Sequence, residues 1–157
     1  MTDVKRTIRE ATASDLPELL RLEAECLPEE AWTLSMVAEE LSRPGGIIRV
    51  AEGMNGGLIG FAIGFTVLGE VQIFQIATAR AHRRHGIAGE LLVSLLRADV
   101  HATVAFLEVR ADNAGAIAFY ESRGWGAIAT RPRYYSDATD AIVYRLSLPY
   151  QPSAPNL

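Results

Sequence analysis

The stretch from residue 70 to residue 98 constrains the fold more than any other part of the 157-residue chain. Its first nine residues, Glu70–Thr78, are rich in β-branched and aromatic side chains, which is typical of a β-strand. Its last part repeats apolar residues at helical spacing, with Ile87, Leu91 and Leu95 on one line. A short basic loop that ends in small residues joins the two parts. The stretch therefore predicts a strand, a tight turn and a helix.

The turn between this strand and this helix is suited to a phosphate group. The first N–H groups of a helix have no partner within it, and the positive end of the helix dipole adds to their attraction for an anion. A glycine at a helix start by itself only permits a turn. Here, however, Gly86 follows the arginines Arg83 and Arg84. The alternative interpretation is a turn that carries surface charge.

Length and charge limit what the chain can be. We predict one domain over residues 1–148 and a loose tail over 149–157, where three of nine residues are proline. The net charge of −4 argues against a protein that coats nucleic acid, and we expect no nucleic-acid partner. An acidic surface favours a cationic or amine-bearing substrate.

Cysteine and histidine usage excludes several kinds of site. Cys26 is the single cysteine, so the chain has no internal disulfide, and we predict a buried structural thiol rather than a nucleophile. His82, His85 and His101 are too poorly spaced for a metal site of known type, and no metal is expected. No apolar run approaches the roughly 20 residues of a membrane span. The start does not resemble a signal peptide, so we predict a cytoplasmic protein with no membrane partner.

Strand and helix patterns alternate along the rest of the chain. We predict strands over residues 4–9, 47–52, 58–67, 70–78, 103–110, 125–133 and 141–148. Helices are predicted from the cap at Ser14–Asp15 to before Pro28, over 34–41, from 87 to near His101, and over 114–123. The order is β-α-α-β-β-β-α-β-α-β-β, an α/β fold with a mixed sheet and helices on both faces. The strands on either side of the third helix are expected to be parallel, and the last two antiparallel.

Glu108 is a candidate general base. The strand residues before it are continuously apolar, as in a strand that is covered on both faces. A carboxylate at the end of such a strand is costly unless it is paired or faces a cleft. Ligand clefts of open α/β sheets lie beyond the carboxyl ends of the strands. The alternative is an ion pair with Arg110 or another cation.

Two aromatic residues could belong to a site or to the core. Tyr120 follows a run of small residues and shares a helix face with Ile117, so its ring should be partly buried. A buried tyrosine hydroxyl needs a partner, which would be either a leaving group in a reaction or a backbone carbonyl. Trp32, between the first two helices, either floors a substrate groove or caps the core.

The basic loop resembles a known cofactor loop. Arg83, Gly86 and Ala88 fill the three defined positions of the pattern Gln/Arg-x-x-Gly-x-Gly/Ala, the pyrophosphate loop of the GCN5-related N-acetyltransferases (GNAT superfamily). The order of strands and helices also resembles that fold from end to end. The resemblance implies an enzyme that takes acetyl groups from acetyl-CoA. The cofactor contacts that it implies are Ile76, Ala77, Thr78, Arg83, Arg84, His85, Gly86, Ile87, Ala88, Gly89 and Asn113.

The C-terminal half resembles one subfamily, the ribosomal-protein-alanine N-acetyltransferases. Residues 107–125 are similar to its pattern Leu-Glu-Val-Arg-x-Ser/Asp-Asn-x-x-Ala-Ile-x-Leu/Phe-Tyr-x-x-x-Gly-Phe. Residues 131–135 are similar to its segment Arg-x-x-Tyr-Tyr. By this resemblance Glu108 would accept a proton and Tyr120 would donate one. The substrate would be the N-terminal α-amine of a protein or peptide, bound with the help of Tyr134 and Tyr135.

Some questions stay open at this point. The chain has Ala79 and Arg80 where the family usually has aspartate and proline, and the segment from Tyr135 to Asp140 is shorter than usual. Glu70, at the start of the cofactor strand, is a rival to Glu108 as base. The alternatives in function are acetylation of a polyamine, aminoglycoside or amino acid, and a non-catalytic module that binds CoA. A monomer or weak dimer is expected.

Overall fold

The computed structural model describes residues 5–150 of the chain. The strands are β1 (Arg6–Glu10), β2 (Gly46–Gly53), β3 (Leu58–Val67), β4 (Glu70–Thr78), β5 (Val104–Arg110), β6 (Gly126–Arg131) and β7 (Ala141–Ser147). The helices are α1 (Leu16–Cys26), α2 (Leu34–Ser42), α3 (Ile87–Leu96) and α4 (Ala114–Glu121), with short 3-10 turns at Ala13–Asp15 and Arg80–His82. The predicted order of strands and helices and the mixed α/β fold are confirmed. Val4, predicted to open the first strand, and residues 151–157 of the predicted tail lie outside the described residues.

All seven strands form one sheet in the order β1-β2-β3-β4-β5-β7-β6. Strands β4 and β5 are parallel, as predicted from the helix between them, and every other neighbouring pair is antiparallel. The helices α1 and α2 cover one face of the sheet, and α3 and α4 cover the other. The fold is thus a mixed sheet between two helical layers, which places β4 and β5 at its centre.

The helix α3 ends earlier than its apolar pattern predicted. It stops at Leu96, five residues before His101. The reason is a turn centred on Asp99, whose carboxylate accepts hydrogen bonds from the His101 N–H at 2.9 Å and the Thr66 hydroxyl at 2.5 Å. Since Thr66 belongs to β3, a contact from another part of the chain ends this helix. The last helix also stops early, at Glu121 rather than 123, and β6 spans 126–131 instead of 125–133.

A β-bulge in β4 changes which face its side chains meet. Ile63 of β3 pairs with Gln75 and Gly64 pairs with Ile73, which leaves Phe74 as an extra residue on β4. Before the bulge, Ile73 packs into the core beneath α3, whereas after it Ala77 packs into the core beneath α1 and α2. The bulge therefore turns the second half of β4 and directs Gln75 toward α1.

The parallel strands β4 and β5 separate after four paired residues. Pairing runs from Glu70 with Val104 to Ile73 with Leu107 and ends there. Beyond this point β4 continues to Thr78 and β5 continues to Arg110, but within residues 5–150 no strand pairs with the edges that they turn toward each other. The sheet is therefore open at its centre, on the carboxyl side of both strands.

Candidate active site

The opening between β4 and β5 holds a cavity of about 130 Å³, the gap cavity. Glu108 from β5 and Tyr120 from α4 both line it, together with Asn113 at the start of α4. On the β4 side its wall is formed by Gln75 and Ile76. The two residues predicted to transfer protons therefore meet in one cavity, although they are twelve positions apart on different elements.

A larger cleft of about 610 Å³, the α3 cleft, lies between the end of β4 and the first turns of α3 and α4. Ten of the eleven residues predicted to contact a cofactor line it: Ile76, Ala77, Thr78, Arg83, Arg84, Gly86, Ile87, Ala88, Gly89 and Asn113. His85 does not line it, and its backbone carbonyl instead accepts a hydrogen bond from Arg6 at 2.8 Å. The cleft also includes Arg123 and His82, which the sequence analysis did not assign to a cofactor.

A third cavity of about 270 Å³, the aromatic pocket, is bounded by four aromatic rings and two carboxylates. The rings belong to Trp32, Phe74, Tyr134 and Tyr135, and Glu108 is one of the carboxylates. The Trp32 and Phe74 ring centroids are 5.7 Å apart. Trp32 packs against the core beneath α1, as one of its two alternatives predicted, and it also lines this pocket.

The gap cavity connects the other two. It shares Ile76 and Asn113 with the α3 cleft and shares Glu108 and Tyr135 with the aromatic pocket. The three cavities are thus neighbours along the opening between β4 and β5, and together they are called the passage. Arginines line its end at the start of α3, and carboxylates and aromatic rings line its other end.

Two residues of the loop before α3 have left-handed backbone conformations, and both line the α3 cleft. Gly86 is the N-cap of α3 with φ +78°, and no side chain caps the first turn of that helix. Arg84 also has a positive φ of +68°, a conformation that costs energy for a residue with a side chain and is often found at functional sites. The uncapped N–H groups fit an anion at this helix start.

Arg6 of β1 binds this loop through its side chain, a contact that the sequence analysis did not predict. Its guanidinium donates to the Glu90 carboxylate at 2.9 and 2.6 Å, and to the carbonyl of His85. Arg6 thereby ties β1 to both the loop and the first turn of α3. The two partners are 79 and 84 residues away in sequence, so no local pattern could have indicated the contact.

Tyr120 is a partly buried aromatic residue that packs against the core and lines the gap cavity. Its ring makes edge-on contacts with Phe119 at 5.0 Å and Trp125 at 5.7 Å between centroids. Desolvation by burial raises the pKa of Tyr120 to about 12, against a weaker opposing effect of Arg123. The phenol therefore stays protonated at neutral pH and is able to donate. No hydrogen bond links its hydroxyl to another described residue, contrary to the expectation for a purely structural tyrosine.

Glu108 is half-buried and has an ion-pair partner. Its Oε1 atom lies 3.3 Å from Nε of Arg131, an exposed residue of β6. The sequence analysis considered an ion pair with Arg110 or another cation, and the cation is Arg131, since Arg110 binds Asp112 and Asp137 instead. The pair with Arg131 leaves Glu108 on the wall of both the gap cavity and the aromatic pocket. Its rival Glu70 is exposed at the other end of β4 and lines none of these three cavities.

The comparison with known proteins decides the family. Residues 15–125 match the Acetyltransferase (GNAT) family, which is more than two thirds of the chain. This chain is a GNAT acetyltransferase. The enzyme class predicted from the basic loop, an N-acetyltransferase, is thereby confirmed.

Relatives of this GNAT chain include ribosomal-protein acetyltransferases. It is 39% identical to the [Ribosomal protein bS18]-alanine N-acetyltransferase of Escherichia coli over 99 residues, 60% of this chain and 67% of the relative. It is 32% identical to the N-alpha-acetyltransferase RimI of Mycobacterium tuberculosis over 145 residues, covering 88% and 90% of the two chains. The crystal structure of the E. coli ribosomal-protein-S18-alanine N-acetyltransferase has a TM-score of 0.81 at 31% identity, over 98% and 99% of the chains. The subfamily resemblance is thus confirmed.

The buried carboxyl group of Glu23 binds two residues that line the aromatic pocket. Glu23 of α1 is 1% exposed, and its Oε2 accepts hydrogen bonds at 3.1 Å from the Trp32 N–H and from Nε2 of Gln75. Burial raises the pKa of Glu23, which favours its neutral form. The signal that sequence reasoning overlooked is a glutamate on the buried face of α1 beside Leu19 and Leu22.

The predictions about the cysteine, about metal binding and about membrane-spanning helices can also be compared with the described residues. Cys26 lines the α3 cleft and is only partly buried; its Sγ lies 3.5 Å from the Thr78 carbonyl. Burial raises the pKa of the Cys26 thiol, which disfavours a nucleophilic thiolate. Within residues 5–150 no group of three potential metal ligands was found. None of the helices described there is long and apolar enough to cross a membrane.

Proposed function

We infer that this GNAT acetyltransferase moves an acetyl group from acetyl-CoA to the N-terminal α-amine of a protein or peptide. The observation that carries the inference is the passage, with Glu108 and Tyr120 on the wall of its middle cavity. GNAT acetyltransferases use acetyl-CoA. The relatives whose names specify ribosomal-protein alanine supply the class of acceptor.

The residues of the α3 cleft fit CoA. The uncapped start of α3 at Gly86 and the nearby guanidinium groups of Arg83 and Arg84 suit a diphosphate. The unpaired edge of β4 from 75 to 78 offers backbone N–H and C=O groups to the amide-containing arm of CoA. Thr78 and His82 each keep a buried polar side-chain atom that has no hydrogen-bond partner among the described residues. Each of these features favours a polar ligand in the cleft.

Proton transfer falls to the two residues of the gap cavity. Acetyl-CoA supplies a thioester whose acetyl carbon bonds to the amine nitrogen as the carbon–sulfur bond breaks. An α-amine has a pKa of roughly 7.7–8.0 and is mostly protonated at neutral pH. Glu108, directly or through one water, accepts the proton that the amine loses. Tyr120 donates its hydroxyl proton toward the departing sulfur, which its raised pKa permits because the phenol is neutral beforehand.

The acceptor side of the passage matches an amine. The aromatic pocket combines the Glu30 and Glu108 carboxylates with four rings, and both groups attract a cation. A free backbone N–H on the β4 edge between Ile76 and Thr78 could meet the charge that develops on the thioester oxygen. Positioning of the two substrates along one passage should supply much of the rate.

The acceptor class is tested with two panels of amines. We expect a hexapeptide that begins with alanine to be acetylated on its α-amine, with a kcat/KM at least about tenfold above that of spermidine, kanamycin or free alanine. The products are identified by mass spectrometry. The same hexapeptide with a blocked α-amine and a lysine side chain serves as the matched control. Preference for a small amine would replace the peptide acceptor, and CoA binding without amine-dependent release of free CoA would indicate a non-catalytic module.

Replacement of Gly86 tests the cofactor loop. We expect Gly86→Val to weaken CoA binding by about a hundredfold, because a β-branched residue strains the backbone at φ +78° and narrows the approach to the helix start. Isothermal titration calorimetry measures the affinity, with circular dichroism to verify the fold. Gly56→Val is the control, since Gly56 has φ +79° in a hairpin that lies outside the α3 cleft. CoA affinity that is equal in both variants would contradict the assignment of this loop.

A further inference from the structure

Arg110, the last residue of β5, binds acidic side chains from two separate loops. Its Nη1 donates to Glu30 Oε1 at 3.3 Å in the α1–α2 loop, residues 27–33. Its Nη2 donates to Asp137 Oδ2 at 2.5 Å and to Thr139 Oγ1 at 3.0 Å in the β6–β7 loop, residues 132–140. The Arg110 side chain is 20% exposed, whereas its acidic partners Glu30 and Asp137 are 40% and 49% exposed.

The two loops both line the aromatic pocket. The α1–α2 loop supplies Glu30 and Trp32, and the β6–β7 loop supplies Tyr134 and Tyr135. Arg110 also lies over the Tyr135 ring, with its guanidinium carbon 4.9 Å from the ring centroid. One guanidinium group therefore contacts both loops that line the pocket.

The β6–β7 loop is tightly folded around the atoms that Arg110 binds. The Tyr135 N–H donates to the Thr139 carbonyl at 3.1 Å, and the Ala138 N–H donates to the Tyr135 carbonyl at 2.9 Å. Asp137 Oδ1 accepts from the Thr139 N–H at 3.0 Å. Because this segment is short and bonded to itself, holding Asp137 in place also holds the ring of Tyr135.

Arg110 and Asp137 both stay charged over the ordinary pH range. Hydrogen bonds from Arg110 hold the pKa of Asp137 well below its usual range, and those same bonds raise the pKa of Arg110. The contact between Arg110 and Asp137 therefore persists between pH 5 and 9. A planar guanidinium can bind acids in several directions at once, which a lysine ammonium does less well.

We propose that Arg110 is a positioning residue that clasps the α1–α2 and β6–β7 loops together and thereby selects acceptors with a small first side chain. The proposal rests on the proposed function, because it requires that the acceptor amine reaches Glu108 through the aromatic pocket. The amine has to reach Glu108 where the aromatic pocket of about 270 Å³ meets the gap cavity of about 130 Å³. A clasp that holds both loops in place then limits the size of the first residue that fits at this junction.

The test is the variant Arg110→Gln, measured with peptides that begin with alanine or phenylalanine. We expect the KM for the alanine peptide to rise about tenfold, since charge-assisted contacts across the pocket are lost. The preference for alanine over phenylalanine in kcat/KM should fall, while the KM for acetyl-CoA stays within about twofold of wild type. A loss shared equally by kcat and both KM values would show a structural role and overturn the proposal.

The control is Asp112→Asn. Asp112 binds the same guanidinium, at 3.2 and 3.3 Å, but it lies two residues along the chain and joins neither loop to the other. This variant should keep the wild-type KM values and selectivity. Asp137→Asn should reproduce the effect of Arg110→Gln, and the double variant should add little to either single one. Additive effects of the two changes would contradict a shared clasp.

A second measurement does not depend on activity. Amide hydrogen exchange in residues 27–33 and 132–140 should become at least about fivefold faster in Arg110→Gln, and should not change in Asp112→Asn. Unchanged exchange in both loops would overturn the clasp, whichever acceptor the enzyme uses. If the wild type acetylates small amines and no peptide, the proposed acceptor fails. The exchange data and the KM for the best small amine then decide the clasp by themselves.

Discussion

Replacing Tyr120 with phenylalanine is expected to lower kcat by about a hundredfold to a thousandfold while the affinity for acetyl-CoA changes less than about twofold. The substitution removes only the hydroxyl, and no hydrogen bond joins that hydroxyl to another described residue. The ring contacts with Phe119 and Trp125 remain, so the protein should fold normally. Steady-state kinetics and calorimetric titration with acetyl-CoA separate the two quantities.

The matched control for this experiment is Tyr144→Phe. Tyr144 is buried, its hydroxyl donates to Glu121 at 2.9 Å, and it lines none of the three cavities. This variant should lose about 1 kcal/mol of unfolding free energy with its hydrogen bond and keep the wild-type kcat. The opposite pattern, in which Tyr120→Phe is less stable but fully active, would assign Tyr120 to the core alone.

Local sequence signals were sufficient for most of the fold. The spacing of Ile87, Leu91 and Leu95 and the glycine before them correctly predicted where α3 begins. The glycine-rich turn after β2 correctly predicted the hairpin with β3, which closes with a bond from the Gly53 N–H to the Gly57 carbonyl. In these places residues a few positions apart determine the backbone conformation, so a local sequence pattern is enough to predict it.

Contacts between distant residues set what the sequence did not predict. The end of α3 depends on the bond from Thr66 to Asp99, across 33 positions. The bulge at Phe74 in β4 arises from the pairing of β4 with β3, and the sequence of β4 alone does not indicate it. Arg110 was considered as a partner for Glu108, but its acidic neighbours come from loops that only the folded chain brings together.

The candidate site shows the same division. The motif from Arg83 to Ala88 indicated a phosphate-binding loop because the geometry of a helix start is local. In contrast, the pairing of Glu108 with Arg131 and the support of the loop by Arg6 depend on the order of strands in the sheet. Residue roles that came from the family resemblance remain predictions, and the variants described here are their test.

Replacing Glu108 with glutamine should lower kcat/KM for the peptide by about a hundredfold to ten-thousandfold at pH 7, as expected for the loss of a general base. Because an α-amine has a pKa of roughly 7.7–8.0, most of the amine is already neutral at pH 9 and does not need a base to remove its proton before attack. The deficit of Glu108→Gln relative to wild type should therefore shrink as the pH rises from 7 to 9. Rates over this range, at a fixed saturating concentration of acetyl-CoA, measure the effect.

Two further variants separate the base from the ion pair and from its rival. Arg131→Gln removes the partner at 3.3 Å without changing the carboxylate, so it should cost less than about fivefold in kcat/KM if Glu108 acts on the amine. Glu70→Gln should have no effect, because Glu70 lies at the exposed far end of β4. If Arg131→Gln lowers kcat/KM as much as Glu108→Gln and neither loss depends on pH, Glu108 fixes the position of β6 and does not accept the proton. The base would then have to be sought among the other groups of the aromatic pocket, where Glu30 is the remaining carboxylate.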